Sequence, residues 1–294
     1  MYELLVNSKK RLGKSGLLSR IYHETRLRRL KTVQHSPILV YQMGKVGSRS
    51  IVDSLKAMKL DRAVYHVHFL NKENIQKADH MMHAIYGSRY NVNSWCLYES
   101  RFVIKHHLQE PKNKLKIISL VREPIARNLS SFFHNIDKFI PKCATLYEKG
   151  GIDIKEITQY YLQKFHEHDF PLTWFDEEMK AVFGIDVFSE NVSLLQDRRV
   201  FVYDRDDLEL LVIRTEDIDA VAQEALQQFL QIKDFRLKRA NVSSEKNYNH
   251  VYADFTKFVR LPESYLTRMY ESKYVRYFYS PSEVEGFRAR WSKP

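Results

Sequence analysis

Three short stretches carry residues whose types and spacing could do chemistry. In Tyr41-Gln-Met-Gly-Lys-Val-Gly-Ser-Arg-Ser50, two glycines flank a lysine and are followed by hydroxyl and guanidinium donors. Gly44 and Gly47 permit a tight turn and close backbone approach to an anion. The helix expected to start at Ser48 would add free N–H groups and the positive end of its dipole. Lys45 supplies a mobile charge, and Ser48, Arg49 and Ser50 supply donors. The loop is not a Walker A motif, in which lysine follows the second glycine and a Ser or Thr then takes magnesium. An ordinary strand-to-helix turn is the competing reading of this stretch alone.

The second stretch is Val121-Arg-Glu-Pro-Ile-Ala-Arg-Asn-Leu-Ser-Ser-Phe-Phe133. Arg122 ends a strand-like run, and Ser130 stands eight residues on, about two helical turns. A guanidinium there can fork onto phosphate oxygens with a hydroxyl donating beside it. Arg127 could assist or be structural. The third stretch is Val64-Tyr-His-Val-His-Phe-Leu70. Alternation along a strand puts His66 and His68 on one face. An imidazole with a pKa of about 6.5 suits removal of a hydroxyl proton at neutral pH; a satisfied structural histidine is the alternative for each.

These stretches need elements to hold them. Apolar runs at 37–42, 63–69 and 115–121 read as buried strands. Pro124 stands where a helix should begin. Residues 200–203 and 208–213 read as two more strands across the turn Asp204-Arg-Asp-Asp207. Helical sequence fills much of 71–110, 152–182 and the stretch from Asp217 to the end. Strands alternating with helices imply an α/β fold with a central, mainly parallel sheet flanked by helices. Ligands of such sheets bind beyond the carboxyl ends of the strands, where both anion motifs fall.

Composition narrows the class. A hydrophobic fraction of 44%, with 18 Tyr and 17 Phe, supports a packed core and excludes a disordered chain. No apolar run approaches the ~18 residues of a membrane span. Cys96 and Cys143 lack metal-ligand spacing and read as reduced thiols in a cytoplasmic protein. No metal site is expected. The three Asn-x-Ser sequons, at Asn128, Asn191 and Asn241, read as chance. The net charge of +11 is concentrated at the amino terminus, where residues 1–34 hold nine basic residues against Glu3 and Glu24. That distribution does not make a groove tracking a nucleic-acid backbone. The segment reads either as a basic helix touching an acidic membrane surface or as a solvated helix packed on the domain. Sparse glycine and proline give no internal boundary, so residues 35–294 are expected to be one domain.

Residues 37–55 resemble the 5′-phosphosulfate loop of sulfotransferases that use 3′-phosphoadenosine 5′-phosphosulfate (PAPS). Residues 117–133 resemble their 3′-phosphate motif. Leu211-Val-Ile-Arg-Thr-Glu-Asp217 resembles the family's late strand, and 241–248, with Lys246, its nucleotide-covering loop. The resemblance implies a single P-loop-like domain of three layers, PAPS as donor and no catalytic metal. Lys45, Val46, Gly47, Ser48, Arg49 and Ser50 would hold the 5′-phosphosulfate, Arg122 and Ser130 the 3′-phosphate, and Lys246 the nucleotide. Lys45 would also follow the bridging oxygen. The His-x-His strand resembles that of uronyl 2-O-sulfotransferases, where histidine is the base; His68 ranks before His66. Whole-chain resemblance to bacterial sulfotransferase-like proteins of capsular polysaccharide synthesis implies a glycan acceptor, and residues 134–182 are candidates to contact it; Tyr161, Trp174 and Phe175 read either as rings that stack on a sugar or as core. The competing functions are a nucleoside-type phosphotransferase, with Glu216 and Asp217 as magnesium acids, and a basic nucleic-acid or membrane-surface binding protein.

Overall fold

The computed structural model describes residues 36–87, 95–109, 114–189, 193–195, 198–238 and 248–292, together with Thr25 and Leu27. Lys246 and almost all of the basic segment 1–34 therefore lie outside the described residues, as do Asn191 and Asn241. Thr25 and Leu27 are helical, and Leu27 is buried against the core. Among the described residues, no helix is long and apolar enough to cross a membrane.

Six strands form one sheet in the order β2-β1-β3-β6-β5-β4. They are β1 (Ile38–Tyr41), β2 (Val64–Val67), β3 (Leu115–Val121), β4 (Ser193–Leu195), β5 (Val200–Asp204) and β6 (Leu208–Arg214). β1 runs parallel to β2 and β3, and β3 runs parallel to β6. β5 turns back against β6, and β4 against β5. The expected turn at 204–207 is present, closed by the Arg205 N–H on the Leu208 carbonyl at 2.9 Å. All four residues of β1 are fully buried. Successive side chains of a strand point to opposite faces, so the sheet is covered on both. The mixed α/β class and the mostly parallel sheet expected from the sequence are thus present.

The strand order has a functional consequence. After β1 the chain adds β2 on one side, then crosses to add β3 on the other. A crevice opens at such a reversal, outside the carboxyl ends of the strands. Each strand there leads into a helix: β1 into α1 (Ser48–Ala57), β2 into α2 (Lys72–Tyr86), while α3 (Trp95–Val103) precedes β3 and α4 (Pro124–His134) follows it. α1 buries Ile51, Val52 and Leu55 at helical spacing. α4 buries nine of its eleven residues, including Arg127 and Asn128. Buried Asn128 could not carry a glycan.

The carboxyl-terminal half closes the layers with α5 (Ile154–Lys164), α6 (Phe170–Trp174), α7 (Ile218–Leu230), α8 (Asn249–Phe258), α9 (Glu263–Tyr270), α10 (Lys273–Phe278) and α11 (Pro281–Ser292). α6 continues as a π-helical turn, Phe175–Lys180. This widened turn directs Glu178 into the interior, where it is fully buried. Its carboxylate accepts hydrogen bonds from the Tyr41 hydroxyl, the Leu70 and Asn71 N–H groups and the Asn74 amide. The Trp174 indole donates to the His68 carbonyl at 3.1 Å. The π turn thus clamps the end of the histidine strand and the start of α2 to β1. Glu178→Ala leaves four buried donors without an acceptor, and should lower the unfolding free energy by about 3 kcal/mol. Glu177→Ala, exposed one residue away, should change it by less than about 0.5 kcal/mol. Chemical denaturation of the two variants checks this; equal midpoints would remove Glu178 as the clamp.

Candidate functional site

A cavity of about 890 Å³ opens at the carboxyl ends of β1, β2 and β3. Lys45, Gly47, Ser48 and Arg49 line it from the first loop, His66 and His68 from β2 and its end, and Arg122 and Ser130 from the second motif. All three stretches singled out in the sequence therefore face one space. Two residues of the expected set do not line it. The Val46 side chain is fully buried in the core, and Ser50 sits half-buried inside α1.

The first loop is held by its carbonyls. The Gly44 carbonyl accepts from Arg127 Nε at 3.1 Å, that of Lys45 from Arg122 Nη1 at 2.9 Å, and that of Val46 from Thr215 Oγ1 at 2.8 Å. Three successive carbonyls are thus tied to α4, the end of β3 and the end of β6. In a trans peptide the C=O and the next N–H point in opposite directions, so the amides of Lys45, Val46 and Gly47 are turned the other way. Gly47 adopts φ 76° and Lys45 φ 74°. Glycine takes this left-handed conformation freely. Lysine does so at a cost of about 1 kcal/mol, and strain of this kind persists only where surrounding contacts impose it.

The two helix starts are treated differently. α1 has no side chain capping its N-terminus and no acid in its first turn. Its first N–H groups and dipole face the cavity loop. At α4 the same groups are occupied: the Glu123 carboxylate accepts from Ile125 and Ala126 N–H at 2.8 and 2.7 Å and from the Tyr270 hydroxyl. At the second motif the cavity is therefore lined by the Arg122 and Ser130 side chains. Tyr274 fixes the backbone of Arg122, donating to its carbonyl and accepting from its N–H. Ser130 is half-buried and lines the cavity from α4. Arg49 lines the cavity but pairs along the helix with Asp53 at 3.2 Å, in an exposed position.

The two histidines have distinct surroundings. His68 Nδ1 lies 2.9 Å from the Gln42 backbone carbonyl. A carbonyl can only accept, so Nδ1 carries the ring proton and Nε2 keeps the lone pair. His66 Nε2 lies 2.9 Å from Ser48 Oγ, and the His66 N–H donates to Glu99. The rings meet edge to face, with centroids 4.9 Å apart. Burial pushes the pKa of His68 below the ordinary range, with Arg127 and Lys45 adding to the effect against the carbonyl bond. Burial, then the neighbouring His68, Lys56 and Arg49, lower that of His66 further. Both rings are neutral at neutral pH.

Sequence reasoning left Arg127 undecided and missed Gln42 and Thr215. Arg127 is buried, pairs with Glu167 at 3.2 Å and stacks over Phe170 as it holds Gly44. An isolated arginine, threonine or glutamine in a helix or strand gives no sequence signal for such contacts. Tyr161, Trp174 and Phe175 are core residues that do not line the cavity. Of the two readings open for them, sugar contact and core, the core one holds: the Trp174 ring packs on Tyr41 of β1, that of Phe175 on Tyr274 and Phe278 of α10, and that of Tyr161 on Phe132, Phe165 and Tyr265. Phe69, Phe133, Phe170, Tyr248 and Tyr252 are the aromatic residues that do line it. Glu216 accepts from the Glu123 N–H and the Tyr279 hydroxyl, and Asp217 pairs with Arg214 at 2.7 Å. Neither acid faces the cavity. Among the described residues, no group of three His, Cys, Asp or Glu side chains could hold a metal ion.

A family model described as "Putative capsular polysaccharide synthesis protein" (NKWYS) matches residues 150–280. That stretch includes Glu167, Phe170, Thr215, Tyr248 and Tyr252, and excludes the phosphate loop, the histidine pair and Arg122. None of the curated proteins and none of the solved structures matches the chain at a significant level.

The strain at Lys45 can be tested apart from its charge. Lys45→Gly and Lys45→Ala both lose the ammonium group, but only glycine suits φ 74°. Lys45→Gly should exceed Lys45→Ala in unfolding free energy by about 1 kcal/mol. Equal stability would mean that the loop relaxes and its pinned conformation is not imposed.

Proposed function

We propose that this chain is a sulfotransferase that moves the sulfuryl group of PAPS to an acceptor hydroxyl. The observation that carries the reading is the pairing of two anion positions in one cavity. One is the uncapped start of α1 with its pinned loop; the other is Arg122 with Ser130. A nucleotide phosphorylated at both ends of its ribose presents two anionic groups to such a pair. The resemblance of residues 37–55 and 117–133 to the family's phosphate motifs supports the same assignment, and with it a P-loop-like scaffold. The description of the matched family, capsular polysaccharide synthesis, favours a glycan as acceptor.

The strand order divides the cavity. The two anion positions follow β1 and β3, whereas His68 ends β2 on the opposite side of β1. The acceptor enters on the β2 side. Its hydroxyl oxygen attacks sulfur in line, and the bond from sulfur to the bridging oxygen breaks. The bonding electrons leave with the 5′-phosphate. His68 Nε2 takes the hydroxyl proton, and Lys45 with the α1 amides offsets the charge that develops on the bridging oxygen.

A phosphotransferase would need magnesium acids, and the two candidates, Glu216 and Asp217, are engaged elsewhere. The basic-binding reading rests on residues 1–34 and gains nothing from the cavity. Adenosine 3′,5′-bisphosphate should raise the melting temperature without magnesium, more than ATP with magnesium does. A larger, magnesium-dependent shift with ATP would reverse the assignment.

His68→Ala should keep affinity for the bisphosphate and lose transfer by about 100-fold or more. The imidazole must be neutral to accept a proton. Activity is therefore present above its pKa and lost as pH falls through it. Because burial lowers that pKa, the acid limb of the single-turnover rate should lie below the ordinary histidine range. A limb at or above that range, or near-normal transfer in His68→Ala, would remove it as the base.

A further inference from the structure

The histidine pair invites the view that the two rings share one task. The hydrogen bonds around Gln42 separate them. Gln42 is fully buried between the strands, and its side-chain amide lies 3.0 Å from His66 Nε2 and 3.4 Å from His68 Nδ1. His68 Nδ1 is a donor, fixed by the Gln42 backbone carbonyl. An amide nitrogen at that position would set donor against donor at His68 Nδ1. The two ends of an amide are assigned by their network, and the oxygen fits here. It faces both rings, which makes His66 Nε2 a donor whose single hydrogen is shared between Gln42 Oε1 at 3.0 Å and Ser48 Oγ at 2.9 Å.

That assignment reaches Ser48. With its proton on Nε2, His66 donates to Ser48 Oγ at 2.9 Å. A hydroxyl has one hydrogen and two lone pairs. Once Oγ accepts from His66, its own hydrogen is left for another acceptor, and Ser48 lines the cavity at the first turn of the uncapped α1. The His66 backbone is held in turn by Glu99.

We infer that His66 is a positioning residue for the donor nucleotide: through Ser48 it presents a hydroxyl donor to the 5′-phosphate, while His68 alone faces the acceptor. This rests on the sulfotransferase reading and divides the pair between the two substrates. The lowered pKa of His66 agrees with it, since a neutral ring has a single proton to give.

The test needs no acceptor. Affinities for adenosine 3′,5′-bisphosphate and adenosine 3′-monophosphate are measured by calorimetry; their ratio isolates the 5′-phosphate position. Ser48→Ala should lower that ratio about tenfold, the scale of a lost hydrogen bond to a charged group. His66→Ala should lower it comparably, and the double variant no further. His66→Gln, whose amide reaches the Nε2 position, should restore most of it. Binding of the 3′-monophosphate should change little in every variant, which also reports that each is folded. An unchanged ratio in His66→Ala, additive losses, or an equal loss for both nucleotides would overturn the positioning role alone. Failure of the unaltered chain to bind the bisphosphate would overturn the sulfotransferase reading together with it.

Discussion

The pinning of three successive carbonyls decides what the cavity can hold. A loop between a strand and a helix can present either its oxygens or its amides. Here Arg127, Arg122 and Thr215 each take one carbonyl, at Gly44, Lys45 and Val46. They reach in from α4, β3 and β6, so the conformation of the first loop depends on the parallel part of the sheet being in register. The same contacts force Lys45 into a conformation that lysine disfavours. Arg122 links the first loop to the second motif directly: one guanidinium nitrogen holds the Lys45 carbonyl while the side chain lines the cavity. Glu123, next to it, closes the start of α4 and leaves α1 as the open helix end.

The acceptor side has a different foundation. His68 keeps a defined tautomer because a backbone carbonyl of the neighbouring strand takes its Nδ1 proton. That carbonyl belongs to Gln42, whose side chain also touches His66. One residue just after β1 therefore touches both rings. The π-helical turn behind them, with Glu178 and Trp174, holds the strand end in place. The carbonyl bond fixes which nitrogen of His68 is basic.

Much of this was legible in the sequence. Short apolar runs with β-rich composition marked the strands because a parallel sheet covered on both faces needs them apolar throughout. Gly44, Gly47 and the donors between and after them marked the first loop, though an ordinary strand-to-helix turn carries the same local signature. His66 and His68 fell on one face because strand alternation leaves no other choice. What sequence could not supply was the contacts that cross it. Arg127 and Thr215 lie 83 and 169 residues from the carbonyls they hold, and nothing local distinguishes them from structural residues. Tyr161, Trp174 and Phe175 had the composition of a glycan platform, yet the core took them. Glu216 and Asp217 had the position of magnesium acids, yet buried donors took them. Large rings and acids near strand ends serve packing or chemistry with equal local signatures, so only the fold separates the two.

The most direct test of the account is the identity of the group that is transferred. The full chain is incubated with PAPS and, in parallel, with ATP and magnesium, against a panel of glycans, and the products are weighed by mass spectrometry. The account predicts a glycan that gains a sulfuryl group from PAPS in the presence of a metal chelator, with equimolar release of adenosine 3′,5′-bisphosphate. A glycan or nucleoside that gains a phosphoryl group from ATP, with PAPS left intact, would contradict it.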